Sequence, residues 1–106
     1  MNTFIVNLPV INGDFAVVRV GFNPEAPASN DVIVVDATTA IKAVVEQLHG
    51  KVVLFNGAAS LPVTMALTHA VVHVAKAVGG YDPKLAAYVI AVSHDQAYVV
   101  GQVVTV

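Results

Sequence analysis

The stretch from Phe55 to His94 constrains this chain most. It holds three of the four histidines, and it begins where a compact apolar run, residues 51–55, passes through Asn56-Gly57-Ala58-Ala59 into Ser60-Leu61-Pro62. Such a run is strand-length and suits a strand covered on at least one face. Ser60 reads as an N-cap, because its hydroxyl accepts an orphan backbone N–H, and Pro62 falls in the first turn, where a missing N–H costs little. The helix that follows is expected to reach about residue 78. Val63, Ala66, Leu67, Ala70, Val71, Val74 and Ala77 share one half of its circumference and should face a sheet. The other half mixes Thr64, Thr68, His69, His73 and Lys76 with Leu61, Met65 and Val72. That surface is too apolar for plain solvent and too polar for a core, as befits a functional face or a subunit contact.

The remaining elements are arranged around this unit. Residues 3–11 and 14–22 read as strands joined at the Asn12-Gly13 hairpin signal. Residues 23–30, with two prolines, read as a loop, and residues 32–35 as either an added strand or the entry to a helix. Asp36 is placed to cap a helix over residues 37–49, with Ile41, Val44, Val45 and Leu48 as its apolar stripe and Gly50 as its stop. Gly79-Gly80 should end the second helix, or open a short strand into Tyr81. Asp82-Pro83-Lys84-Leu85 then makes a tight turn into a strand over residues 86–92, and residues 98–106 form a last edge strand or a contact with a neighbour. This order gives an α+β fold, a ferredoxin-like single-sheet sandwich with two helices on one face, as one domain over residues 1–106.

Composition narrows the partners. Charged residues are only 11% of the 106 and hydrophobic ones 57%, too little charge to cover a monomer, so a buried interface with other copies of the chain is expected. Five Lys and Arg with a net charge of −2 argue against duplex DNA but allow a small anion. Without cysteine, any metal must be held by His and carboxylate. No apolar run reaches a membrane span, and the opening residues do not resemble a signal peptide, so a cytoplasmic location is expected.

His69 and His73, four apart, share a helix face; that spacing suits a metal held by two imidazoles or a pair of structural histidines bonded to neighbours. Asp82 follows the same helix. It is either a divalent-cation ligand with an open position beside it or an Asx-turn residue before proline. Lys84 reads as a solvated turn lysine, and His94 as a general acid or base or a strand-end histidine. Asn56, Gly57 and Ser60 form a candidate anion cradle before a helix N-terminus, although the Gly-Lys-Ser/Thr ending of a P-loop is missing. Arg19, the sole arginine, reads as half of a structural pair in mid-strand.

Asn56-Gly57 to Ser60, His69-x-x-x-His73, Tyr81-Asp82-Pro83-Lys84-Leu85 and Val92-Ser93-His94 together resemble the third described family of CRISPR-associated ring nucleases, across the C-terminal half. These small proteins of type III systems degrade cyclic tetra-adenylate and were first described as manganese-dependent deadenylating exoribonucleases. The resemblance implies a ferredoxin-like fold and a homodimer or homotetramer, with one layer supplying the binding surface and another the catalytic residues. It further implies that His73, Asp82 and His94 are catalytic, with Lys84 standing where a relative has arginine. Asn56, Gly57, Ser60 and His69 would meet ligand, and Asp82 and His73 would hold Mn2+. Cyclic oligoadenylate is the implied partner, with short RNA 3′ ends as a further substrate.

Overall fold

The computed structural model describes residues 2–106. Its layers are those of an α+β, ferredoxin-like sandwich, one mixed sheet with two helices on one face. The strands are β1 (Phe4–Val6), β2 (Val10–Asn12), β3 (Phe15–Phe22), β4 (Val52–Gly57), β5 (Ala77–Asp82), β6 (Ala87–Ser93) and β7 (Val103–Val104); the helices are α1 (Asn30–Lys42) and α2 (Leu61–Val72). The sheet runs β1-β3-β4-β5-β6-β7, with β2 also paired to β3. β3, β4 and β5 are parallel neighbours, and the outer pairings are antiparallel. Each parallel step is bridged by a helix, and two crossovers of one hand in one direction bring both helices to the same face.

The Asn12-Gly13 signal does form a hairpin, with Asn12 opposite Phe15 and Gly13 at φ +58°. The strand expected over residues 3–11 is broken, however. β1 and β2 are separated by a segment containing Pro9, and they pair with opposite ends of β3. The first helix starts earlier than expected, at Asn30 with Ser29 as N-cap, so residues 32–35 lie inside it. Asp36 is therefore mid-helix and caps nothing. Its Oδ2 instead accepts hydrogen bonds from the Thr3 hydroxyl at 2.6 Å and the Thr3 N–H at 3.1 Å, tying α1 to the start of β1. Those bonds hold the Asp36 carboxyl below its ordinary value of 3.8. After Lys42 the chain closes with a single 3-10 turn, Val45–Leu48.

α2 begins as expected: the Ser60 hydroxyl accepts the Val63 N–H at 3.4 Å, with Pro62 in the first turn. It ends at Val72, a turn and a half short of the expected end, because Ala77 and Val78 are claimed by β5, where they pair with Val52 and Val53. Gly79-Gly80 thus lies within a strand and stops no helix. At the β5–β6 bulge a Cβ on Gly79 would come 2.7 Å from the Val89 carbonyl oxygen, so the close approach of β6 requires glycine.

Ile33, Ala37 and Ile41 of α1, and Val63, Leu67 and Val71 of α2, recur every four residues and are buried against Phe4, Ala16, Val18, Val53, Phe55 and Val78 of the sheet. Each such buried Val, Leu or Ile contributes roughly 1.5–3 kcal/mol relative to exposure. The opposite face carries a second cluster, Val52, Leu54, Ala77, Tyr88, Ile90 and Val104, with Phe15, Val17 and Tyr98 against it. The expected long strand over residues 98–106 is reduced to the two residues of β7. The turns before it place Tyr98 edge-on to Phe15, ring centroids 6.2 Å apart, and so cover the amino-terminal half of this face. No helix among the described residues is long and apolar enough to cross a membrane.

Candidate functional site at the two edges of the parallel strands

β3, β4 and β5 end together at one edge of the sheet, and the expected anion cradle lies there. Gly57 closes β4 at φ +133°, and a Cβ in its place would sit 1.9 Å from the Val20 carbonyl oxygen of β3. Only glycine lets the two backbones approach this closely. From Gly57 the chain turns through Ala58 and Ala59 to Ser60 and the α2 N-terminus. Val20, Asn56, Gly57, Ala59, Thr64 and Tyr81 are among the residues around a small cavity of ≈ 210 Å³ on the helix side. Asn56 is held by a hydrogen bond from its Nδ2 to the Tyr88 hydroxyl oxygen at 3.0 Å.

Asp82 ends β5 at the same edge and is half-buried. Its Oδ1 accepts the Lys84 N–H at 2.8 Å and the Leu85 N–H at 3.4 Å, so the Asx-turn reading is realised. Its other oxygen makes no hydrogen bond among the described residues and stays open to a ligand. Lys84 is exposed in this turn.

The histidines occupy the other edge. α2 runs back toward the starts of the parallel strands, and His73 is its C-cap, so His69 and His73 lie at that end with ring centroids 5.4 Å apart, edge to face. Both are exposed. The backbone there is stitched laterally: Lys76 N–H donates to the Lys51 carbonyl at 2.8 Å, and His94 N–H to the Lys76 carbonyl at 2.8 Å. Lys76 Nζ lies 3.5 Å from Asp14 Oδ2. His94, exposed at the end of β6, therefore shares the amino edge with His73, while Asp82 and Lys84 share the carboxyl edge with Asn56, Gly57 and Ser60.

Within one chain the expected meeting of His73 with Asp82 does not occur. β5 advances about 3.3 Å per residue, so its two ends are about 17 Å apart. The consequence for the expected Mn2+ is direct. Among the described residues no three His, Asp or Glu side chains come together as a metal-holding group. A divalent cation at Asp82 would find one open carboxylate oxygen, far short of an octahedral shell, so the residues of a single chain do not fit the ion.

Arg19 does not form the structural pair expected of it. It is exposed, and among the described residues it has neither an ion-pair partner nor a side-chain hydrogen bond. The available signal was the alternation Phe15, Val17, Arg19 along β3, where the sole arginine interrupts an apolar row on one face.

Unpartnered apolar side chains accompany the carboxyl edge and the start of α2. Leu61 and Met65, 80% and 70% exposed, continue the α2 stripe that leads to His69 and His73. Leu85 is exposed beside Lys84. No curated protein matches the chain. A family model described as a CRISPR-associated protein, Cas_csx3, matches residues 39–105, which include β4, α2, β5, β6 and every site residue named above except Arg19, Val20 and Asp14. With well over half of its length matched, the chain belongs to the Cas_csx3 family of CRISPR-associated proteins.

Proposed function

We propose that the protein is a ring nuclease that opens cyclic oligoadenylate, preferentially cyclic tetra-adenylate, and so switches off type III CRISPR signalling. The observation that carries this reading is the division of labour between the two edges. Backbone N–H groups at the α2 N-terminus, Lys84 and the open oxygen of Asp82 gather at one end, and exposed imidazoles at the other. Neither half suffices for phosphodiester cleavage, which needs a proton acceptor and donor as well as charge stabilisation at phosphorus. Two copies stacked end to end would bring the histidine edge of one against the carboxyl edge of the next, and the exposed Leu61, Met65 and Leu85 would be covered in such a stack.

In that composite site the adenylate phosphate lies against Gly57, Ser60 and Lys84. A ribose 2′-hydroxyl or a water attacks phosphorus, His73 or His94 takes its proton, and the other returns one to the leaving oxygen. Lys84 attracts the developing negative charge as a point charge, without the two-pronged grip of an arginine. A linear RNA 3′ end offers the same phosphodiester chemistry. The test is ring opening of labelled cyclic tetra-adenylate, with Mn2+ and with a chelator. Loss of turnover in both His73→Ala and Asp82→Ala supports the enzyme. Tight binding without turnover by the unmodified chain would replace it with a silent sensor, the reading that the carboxyl-edge cavity favours when taken alone.

A further inference from the structure

On the face of the sheet away from the helices, the side chains change character along every strand. β3 presents Phe15 and Val17 and then Arg19; β4 presents Val52 and Leu54 and then Asn56; β5 presents Ala77 and Gly79 and then Tyr81. β6, antiparallel, presents Ile90 and then Tyr88 toward the same edge. The result is a row across four strands, with Arg19 opposite Asn56 and Tyr81 opposite Tyr88 in register. Tail residues 95–104 cover the apolar half of this face and leave the row open, and Thr105 flanks it. The row floors a cavity of ≈ 500 Å³, within the range of small-ligand sites.

Its chemistry is complementary to one kind of molecule. The Arg19 guanidinium is exposed and uncommitted, as a phosphate ligand should be. Tyr81 is 40% exposed and braced edge-on by buried Tyr88, ring centroids 5.3 Å apart, so it offers a fixed aromatic surface for a base. One Asn56 Nδ2 hydrogen is donated to the Tyr88 hydroxyl, which fixes the amide, and its carbonyl oxygen has no hydrogen bond among the described residues and is open to a ligand. A carbonyl accepts from the exocyclic amino group of adenine and opposes the O6 carbonyl of guanine.

We propose that Arg19, Asn56, Tyr81 and Tyr88 form an adenylate-binding subsite, with phosphate on Arg19 and the base against Tyr81, its amino group donating to Asn56. The subsite rests on the ring-nuclease reading only for the source of the adenylate, a ring or its linear product. Asn56 and Tyr81 also border the helix-side cavity next to Gly57, so a nucleotide held here lies alongside the proposed phosphate cradle.

The test is calorimetric titration of the full chain with adenosine 5′-monophosphate, guanosine 5′-monophosphate and adenosine, together with the Nε–H resonance of the sole arginine. The expected result is adenosine monophosphate binding that moves the Arg19 resonance and weakens roughly tenfold or more in Arg19→Gln. The guanine nucleotide and the unphosphorylated nucleoside should bind more weakly still. Tyr81→Phe should keep the affinity and Tyr81→Ala should lose it. Adenosine monophosphate binding that is unchanged in Arg19→Gln, or equal binding of the guanine nucleotide, overturns the subsite. Arg19 is exposed, so an unaltered thermal transition in Arg19→Gln separates loss of binding from loss of fold. Ring opening is measured on the same samples. Arg19-dependent nucleotide binding without ring opening retains the subsite and removes the nuclease; ring opening without such binding does the reverse.

Discussion

The carboxyl and amino edges of the parallel strands are built from the same three strands and differ in what holds them. At the carboxyl edge the backbone itself is constrained: Gly57 is pressed against the Val20 carbonyl, Ser60 caps α2, and Asp82 pins its own turn through two N–H groups. At the amino edge the backbone is stitched by ordinary ladder-like hydrogen bonds, and the side chains, His69, His73, His94 and Lys76, are exposed or half-exposed. A constrained backbone presents N–H groups in fixed positions, which suits binding. Exposed imidazoles suit proton transfer once a second body covers them.

The sharpest way to break this contrast is to mix two inactive variants. His73→Ala and Asp82→Ala should each lower ring opening by about a hundredfold or more. If each site takes its histidine from one copy and its aspartate from another, an equal mixture should recover about a quarter of native turnover, since that fraction of randomly assembled sites has both groups intact. No recovery in the mixture would mean that the two edges do not meet in one site.

Gly57→Ala tests the rigidity assigned to the carboxyl edge. The added methyl meets backbone at 1.9 Å in a conformation that L-residues rarely adopt, so a loss of at least about 2 kcal/mol in denaturant unfolding is expected, with weakened ligand binding. Ser60→Ala removes one cap and should cost about 1 kcal/mol by the same measurement. Lys76→Ala at the amino edge breaks an ion pair whose side chains are 32% and 58% exposed, and should cost under about 1 kcal/mol, less still in high salt. An amino-edge loss as large as that of Gly57→Ala would erase the distinction.

The smallest effect lies away from both edges. Thr3 holds the Asp36 carboxyl below its ordinary value, so the contribution of this contact is complete above that value and is lost as pH falls through the lowered one. Asp36→Asn should therefore lower stability modestly at neutral pH, leave it nearly unchanged well below about pH 4, and so flatten the acid limb between the two. An unaltered acid limb would show that the Thr3 contact does not persist in solution.

Much of the fold was legible because local rules and packing agree in it. Asn12-Gly13, Ser60-x-Pro62 and the Val63/Leu67/Val71 spacing each carry a signal that the tertiary structure has no reason to override, whereas α1 begins seven residues before the start that the placement of Asp36 as its cap implied and ends at Lys42, so Val44, Val45 and Leu48 of its expected stripe lie beyond it. The end of α2 was not legible. Residues 73–78 keep helical periodicity in sequence, yet the pairing of Ala77 and Val78 with β4 outweighs it, since a central strand gains a full ladder and burial on both faces. The surroundings of Arg19 were hidden for a related reason: a residue's partners are set by the strands beside it, and here Asn56 on β4 stands opposite it from 37 residues further along the chain.

The sequence alone determined which residue types are present and how they are spaced along each element: a capped helix with histidines four apart, an aspartate in a tight turn, an apolar chain with little charge. Only the tertiary structure decided that the helix and the strand after it run antiparallel over one another, because a parallel β4–α2–β5 crossover must return the chain to the edge where β4 began. That return carries His73 and Asp82 to opposite ends of one strand, and no spacing in the sequence records it.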